Sequence, residues 1–588
     1  MKMTKFPIAL LNADASAVSA PSAAPAVSAS SALSVSSASL ASFASSAALT
    51  TPRVAYFCME YGLHPELHLY AGGLGILAGD YLKAAHDLDL PVVGIGLLWR
   101  QGYTRQVLDA QGVPYDTYPI YNYDFLKDTG VKVSVEIRGR AVTCKVWLVD
   151  KYGNAPLYLL DTNLPENDDR WITGQLYGWF GEERVAQEMV LGIGGVRALR
   201  ALGIPVDIYH FNEGHAVLAA LELIKEKMQA GSDYNQALRT TRREIVFTTH
   251  TPVKEGNESH PLSLLEYMGA YNGLAREQMI ALGGDPFNMT VAGLRLARVA
   301  NGVSALHGQT AQHMWKDVTN AAPIIAITNG VHTGTWQDAR IRNAYETGAD
   351  LWLPHMEAKK ELLAAVQART GAQLNPDNLL IGFARRAVPY KRSDLIFSNP
   401  EVIEPYLCDG RIQIIFSGKA HPLDDQGKAI VARLVSFSKA YPNSVVFLEN
   451  YDMEIGRLLT RGTDVWLNNP KRPLEASGTS GMKAAMNGIL NVSVLDGWWP
   501  EGCIHGVNGW EFGHGYEGPL ADEIDLAGLY QVMLDQVAPT FYENRPQWVR
   551  MMRAAIDMSV ERFSASRMLQ EYYSRMYVDI EKRQERVQ

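Results

Sequence analysis

One pattern recurs from residue 53 onward: a short run of β-branched or aromatic residues, a polar or glycine turn, then an amphipathic segment. The runs are RVAYF (53–57), LPVVGIGLL (90–98), VDIYHF (206–211) and EIVFTT (244–249), then PIIAIT (323–328), LLIGFA (379–384), IQIIF (412–416), SVVFLE (444–449), DVWL (464–467) and ILNVSVL (489–495). Helical spacing is clearest in EERVAQEMVLGIGGVRALRALG (182–203) and EGHAVLAALELIKEKM (213–228). Runs alternating with helical segments are βα units, and such units bury their strands in parallel sheets covered on both faces. The runs fall into two groups on either side of ITNGVHTGTW (327–336). The pattern therefore predicts an α/β protein with two doubly wound domains, 53–335 and 336–560. A C-terminal helix over 561–588 could pack back on the first.

Composition bounds the rest. Residues 13–50 are nearly all Ala, Ser, Val and Leu, a low-complexity makeup that buries too little to order a chain, so 1–52 reads as a tail. Lys2 and Lys5 before FPIALL faintly resemble a signal peptide, but the apolar part is short and broken by Pro7. The net charge of −9 comes without any long basic run, which argues against nucleic acid. Cys58, Cys144, Cys408 and Cys503 lie far apart without CxxC spacing, which fits a reducing, cytoplasmic setting better than a disulfide framework. No apolar stretch approaches a membrane span.

Ligands of open α/β sheets sit beyond the carboxyl ends of the strands. There the sequence places Glu60, Arg100, Asn212, Glu213, His215, His250, Asn329, Arg385, Arg386, Lys419, Asn450, Tyr451 and Asn468. Each alone reads as well as a cap or turn residue; together they point to a crevice shared by both halves and closed by domain movement. AGGLGILAG (71–79) and GTSG (478–481) each lead into a helix and could turn backbone N–H groups toward an anion, a tight turn being the alternative. RRAVPYKR (385–392) puts four cations in eight residues, either an anion clamp or a solvated face.

EASGTSGMKAAMNG (475–488) sets one lysine, Lys483, behind residues almost too small to pack. An amine at a helix N-terminus meets the positive end of the dipole, which disfavours its protonated form. A neutral amine attacks an aldehyde, and small neighbours leave room for a flat ring. Schiff-base attachment of pyridoxal phosphate follows as a hypothesis, a surface lysine being the alternative.

From Arg53 to the last long helix the chain resembles the α-glucan phosphorylases, of the short bacterial type: retaining GT-B glycosyltransferases that depend on pyridoxal 5′-phosphate. EASGTSGMKAAMNG looks like their cofactor-lysine motif, and GGLGILAGDYL, FNEGH, TTHTP, ITNGVH, YKR and VVFLENY stand in the family's order. The resemblance implies that Lys483 holds the cofactor, with Arg385 at its phosphate and Tyr451, Thr479 and Ser480 lining its place. Arg386 and Lys391 would bind the substrate phosphate, with backbone amides of Gly72 and Gly73. Glu475, Ser477, Gly478 and Asn329 would meet the glucosyl unit. His250 would set its carbonyl against the sugar ring, and Glu213 and His215 would lie nearer the acceptor channel. The implied reaction is phosphorolysis of glycogen, starch or maltodextrin to α-D-glucose 1-phosphate, with the cofactor phosphate as proton shuttle and no glycosidase carboxylate pair. A homodimer is the family expectation.

The pattern also departs from that of the animal enzymes. Arg385 stands where they have Lys, Asp452 where they have a cation and Ala71 where they have Asn, and no counterpart of their phosphorylation segment is found, so allosteric control of their kind is not expected. Two rivals remain, a nucleotide-sugar glucosyltransferase of similar architecture and a glucan-binding protein without turnover. HFNEGH lacks HExxH spacing, and His307, His332 and His421 form no ligand pattern, so no metal is expected. Trp498 and Trp499 could stack on sugar, though packing explains them as well.

Overall fold

A computed structural model describes residues 51–578; the low-complexity stretch and the end of the predicted 561–588 helix lie outside the described residues. All ten predicted runs form strands, and the first sheet adds four more segments. It contains β1 (Val54–Phe57), β2 (Val92–Leu97), β3 (Lys127–Ile137), β4 (Arg140–Val149), β5 (Leu157–Asp161), β6 (Ile208–Asn212), β7 (Ile245–Thr248), β8 (Val299–Gly302) and β9 (Ile324–Ala326). Their order is β9-β8-β7-β6-β1-β2-β5-β4-β3.

The strands from β9 to β5 are parallel, but β4 and β3 run antiparallel at the edge. That edge corrects the expectation of a purely doubly wound first half. Its cause is local: VKVSVEI and AVTCKVWLV alternate at period two, and Arg138 (φ 54°) with Gly139 (φ 69°) makes the left-handed pair a tight hairpin requires. A ribbon with one polar face needs no covering helix, so it can extend the sheet into solvent.

The second sheet is wholly parallel. It comprises β10 (Leu379–Ala384), β11 (Ile412–Ser417), β12 (Val445–Leu448), β13 (Val465–Asn468), β14 (Leu490–Val494) and β15 (Gly509–Phe512), in the order β12-β11-β10-β13-β14-β15. The order reverses between β10 and β13, and in the first sheet between β1 and β6. At such reversals the connecting helices leave on opposite faces and a crevice opens at the carboxyl ends.

Each sheet has its own large apolar core, one around β1 to β9 and one around β10 to β15. The helix Ala565–Tyr572 contributes Ala565, Met568, Leu569 and Tyr572 to the first of these cores. Beyond it, Tyr577 is buried, its hydroxyl 2.7 Å from His210 Nδ1 on β6 and 2.6 Å from the Tyr81 hydroxyl. The predicted helix over 182–203 consists of α-helical Glu182–Met189 and Gly195–Ala201 with a π-helical turn at Val190–Gly194 between them. There Gly192 is required by close approach, because a Cβ would stand 2.5 Å from the Ala219 amide nitrogen. No helix among the described residues is long and apolar enough to cross a membrane.

Candidate active site

The carboxyl ends of both sheets open into one cavity of about 1320 Å3, and all sixteen residues that the resemblance assigns to the site line it, whereas Arg100, Asn212 and Asn468, also placed at strand ends, do not. The sixteen reach it from different elements. Gly72 and Gly73 come from the start of the helix Gly73–Asp87, Glu213 and His215 follow β6, His250 follows β7 and Asn329 follows β9. Arg385, Arg386 and Lys391 follow β10, Tyr451 follows β12, and Glu475, Ser477, Gly478, Thr479, Ser480 and Lys483 follow β13.

Lys483 is buried, with 6% of its surface exposed, and makes no salt bridge among the described residues. Its Nζ lies 3.7 Å from the centre of the Trp336 ring. The helix Thr479–Ala485 places it in the last turn, not at the N-terminus, which corrects the dipole argument. Burial is what draws its pKa down to about 8, against the opposing pull of Asp80. The small residues before it serve close packing: a Cβ on Gly481 would lie 2.5 Å from Asn491 Oδ1 and 3.0 Å from Trp498 Nε1. Trp498 and Trp499 are both buried, edge to face at 5.1 Å, so they pack the core. Asn487 ties the motif to the segment that carries Trp336, donating to the Trp336 carbonyl at 3.1 Å and accepting from the Asp338 amide at 2.7 Å.

The cation run divides. Arg385 and Lys391 both bond Glu475, and Arg385 also bonds Asn468. Arg386 is exposed to the cavity and makes no salt bridge among the described residues. Arg392 turns away: Nη2 bonds Asp525 at 2.6 Å, Nη1 bonds Asp522 at 2.8 Å, and the carbonyls of Asn469 and Pro470 accept at 2.8 Å. Three of the four cations therefore line the cavity, and the fourth holds a loop. Burial and the neighbouring Arg385 pull Lys391 down to about 7. Burial would raise Glu475, but Arg385 and Lys391 overcome it and hold the carboxyl below its ordinary value. Asp496, which accepts the Glu475 amide at 2.9 Å, is pushed up to about 7 by burial and by the Glu475 charge.

The glycine loop also differs from its reading. The Gly72 N–H donates to Glu60 Oε2 at 3.0 Å, beside that of Ala71 at 2.6 Å, so Gly72 is committed to a protein carboxylate. Gly73 opens its helix, where an N–H has no intrahelical acceptor. A Cβ on either glycine would meet nothing within 4 Å; the space beside them is open for a close ligand. Asp452 caps the helix Met453–Gly462 through the Ile455 amide at 2.8 Å.

At the other end His250 Nε2 lies 2.6 Å from Asn212 Oδ1, and the His250 amide donates to Glu213 Oε2 at 2.7 Å. Burial holds the His250 ring neutral, with its pKa near about 3, and raises Glu213 to about 7. His215 stands 3.8 Å from Glu258. Glu188, Glu258 and His260 bring three ligand atoms within 4.8 Å. Arg184 bonds Glu258 at 3.0 Å and His260 bonds Glu188 at 2.9 Å, which makes the group a buried ion-pair network. Asn329 Oδ1, Asn450 Oδ1 and Ser477 Oγ line the cavity, buried and without a hydrogen-bond partner among the described residues; a buried polar atom left so is costly.

A family model described as carbohydrate phosphorylase matches residues 345–501, the stretch that carries the clamp and Lys483. The maltodextrin phosphorylase of Thermococcus litoralis is 38% identical over 585 residues, covering 89% of this chain and 70% of that protein. The glycogen phosphorylase of Mycobacterium tuberculosis is 39% identical over 609 residues, with the same coverage of 89% and 70%. The chain belongs to the carbohydrate phosphorylase family. A third relative, an uncharacterized protein of Methanocaldococcus jannaschii, is 37% identical over 530 residues and is covered over 99% of its length.

The likeness to α-glucan phosphorylases drawn from the motifs is thus borne out. Several residues of this phosphorylase site were missed by that reading. Asp80 and Trp336 lie inside quoted motifs, GGLGILAGDYL and ITNGVHTGTW, yet nothing in their spacing shows that they meet. Asp496 stands two residues before Trp498, and no spacing links it to Glu475. Arg184 and Glu258 are 74 residues apart, and only the fold joins them.

Proposed function

We propose that this enzyme phosphorolyses α-1,4-glucans such as glycogen, starch or maltodextrin, releasing α-D-glucose 1-phosphate with retention. The observation that carries the reading is the convergence of a buried, readily deprotonated lysine and three cations on one cavity. In this reading the chain is a cytoplasmic GT-B enzyme with domains at 53–335 and 336–560 and a C-terminal helix returning to the first.

The site suits pyridoxal 5′-phosphate. Lys483 offers an amine with no carboxylate bonded to it among the described residues, Arg385 a guanidinium for the phosphate, and Tyr451, Thr479 and Ser480 a lining of the same cavity. When bound, that cofactor supplies a phosphate dianion able to exchange a proton with orthophosphate.

The chain's own residues do the rest. Two phosphates brought together repel, and Arg385, Arg386 and Lys391 offset the repulsion at positions fixed before substrate arrives. Arg386, free of any carboxylate among the described residues, takes the substrate phosphate. Glu475 accepts sugar hydroxyls, and Ser477 and Asn329 supply the unpartnered polar atoms that orient the ring. His250, neutral and held by Asn212, turns its carbonyl to the sugar, while Glu213 fixes its backbone. Enclosure by both sheets excludes water, so orthophosphate and not water meets the anomeric carbon. A nucleotide-sugar transferase would have no use for Lys483.

Glucose 1-phosphate release from maltodextrin, with and without orthophosphate, tests the reading. Release that requires phosphate supports it; activity with a nucleotide sugar and none with phosphate defeats it. Borohydride fixation of the cofactor chromophore, lost in Lys483→Ala, checks the attachment point without turnover.

A further inference from the structure

Two of the unpartnered polar atoms proposed to orient the sugar ring, Asn329 Oδ1 and Ser477 Oγ, come from opposite sheets: Asn329 follows β9 and Ser477 follows β13. One ring can meet both only if the two strips keep a fixed separation, and a misplacement of about 1 Å is enough to lose such a fit. The strip with Ser477 rests on the turn after β14. Asp496 Oδ2 accepts the Glu475 amide at 2.9 Å, and the Trp498 amide donates to the Ser477 carbonyl at 2.9 Å. Gly497 between them (φ 59°) comes so near that a Cβ would stand 2.3 Å from the Ser477 carbonyl oxygen. The same segment then crosses to the first sheet through Glu501. Its Oε1 accepts the Ala305 amide at 2.9 Å, at the start of the helix Ala305–Met314, and its Oε2 accepts the Thr328 hydroxyl at 2.7 Å, beside Asn329. The Ser304 hydroxyl returns the connection, donating to the Ala476 carbonyl at 2.7 Å.

Neither Glu501 nor Thr328 lines the cavity. The carboxylate accepts from two groups of the other half, one of them a helix N-terminal amide, where negative charge is favoured. A carboxylate that only joined the halves would act on stability alone. This one ties the sequence neighbour of Asn329 to the segment that carries the backbone of Glu475 and Ser477. We propose that Glu501 is a positioning residue that holds Asn329 in register with Glu475 and Ser477, and so sets the grip on the glucosyl unit without touching it. The inference rests on the proposed glucosyl subsite. Arg386 and Lys391 stand on the second sheet with Glu501's own segment, so the bridge does not set their place.

Calorimetric binding of glucose 1-phosphate and of orthophosphate to the full-length, cofactor-loaded protein tests this. Glu501→Ala should raise the glucose 1-phosphate Kd about tenfold and leave the orthophosphate Kd unchanged. Glu501→Gln can accept the Ala305 amide with its carbonyl and donate its NH2 to the Thr328 hydroxyl, so it should bind glucose 1-phosphate within about threefold of wild type. Thr328→Val breaks one bond from the other side without changing shape. It should weaken glucose 1-phosphate alone by about threefold or more, and it serves if Glu501→Ala fails to fold. In an Asn329→Ala background Glu501→Ala should cost little further affinity, because the contact it positions is already gone. A lowered melting temperature with an unchanged glucose 1-phosphate Kd, an equal loss for orthophosphate, or losses that add strictly with Asn329→Ala would overturn the role. Failure of the proposed reaction is read separately, as absence of phosphate-dependent release from maltodextrin. The bridge then stands or falls on the same affinities, and a wild type that binds glucose 1-phosphate no more tightly than orthophosphate overturns it.

Discussion

Asp80 and Lys483 meet across one indole: Trp336 Nε1 donates to both Asp80 oxygens, at 3.0 and 2.8 Å, while Lys483 Nζ rests 3.7 Å from the ring centre. Burial disfavours the ammonium, and the Asp80 charge opposes that effect. Asp80→Asn removes the opposing charge, so the amine should deprotonate below about 8. Adding pyridoxal phosphate to apoprotein across a pH series reads this directly, as the midpoint for formation of the bound chromophore. It should move to lower pH in Asp80→Asn; an unmoved midpoint would show that the two groups are uncoupled.

Neighbours in the cation run should fail in different ways. Arg386 is exposed and bonds no carboxylate among the described residues, so Arg386→Ala should leave the melting temperature within a degree or two. Its proposed contact with the substrate phosphate is worth on the order of 3 kcal/mol in the transition state, and kcat should fall roughly a hundredfold. Arg392→Ala should do the reverse. It strips four acceptors of a buried guanidinium and leaves Asp525 buried and unpaired, a loss of about 3–5 kcal/mol in urea unfolding. Equal effects of the two variants on stability would contradict the division of the run.

The contrast shows where sequence reading stops. The ten runs were legible because a buried parallel strand is a continuous apolar stretch, and strand-end residues inherit their place from it. The edge ribbon of β3 and β4 is equally plain in its alternation, but alternation alone does not say that a hairpin joins the edge of a parallel sheet. Position along a helix was less legible: GTSG announces that a helix begins, not that Lys483 sits in its final turn. Facts that depend on two distant segments, such as the Gly72 amide on Glu60 or Arg392 on Asp525, leave no trace in spacing. Nothing in RRAVPYKR separates Arg392 from its fellows.

Glu213 carries a pH signature. Burial raises its pKa from 4.5 to about 7, although the His250 and Gly214 amides and the Thr251 hydroxyl favour the anion. The folded state therefore holds this proton more tightly than the unfolded chain. The linked stability is fully present below about 4.5 and is lost as pH rises through about 7. Glu213→Gln cannot titrate, so the difference in melting temperature between wild type and variant should change across that window and be flat above it. A constant difference from pH 4 to 8 would exclude the raised carboxyl.

The strand that delivers the proposed clamp is tied at its other end by a buried pair. Lys359 Nζ bonds Asp464 Oδ2 at 2.6 Å and the Asn378 carbonyl at 2.7 Å. His355 Nε2 lies 2.8 Å from Asp464 Oδ1, and the Leu380 amide donates to Asp464 Oδ2 at 2.8 Å. These bonds fix the start of β10, the strand whose far end delivers Arg385 and Arg386. Lys359→Met leaves an uncompensated buried carboxylate and should cost about 3–5 kcal/mol. Asp464→Asn leaves a buried ammonium and should cost a similar amount, lowering the Lys359 pKa as its partner charge disappears. In the double variant neither charge remains, so the loss should be smaller than the sum of the two by about 1–3 kcal/mol. Urea melts of the four proteins measure that coupling, and strictly additive losses would mean that Lys359 and Asp464 do not act as a pair.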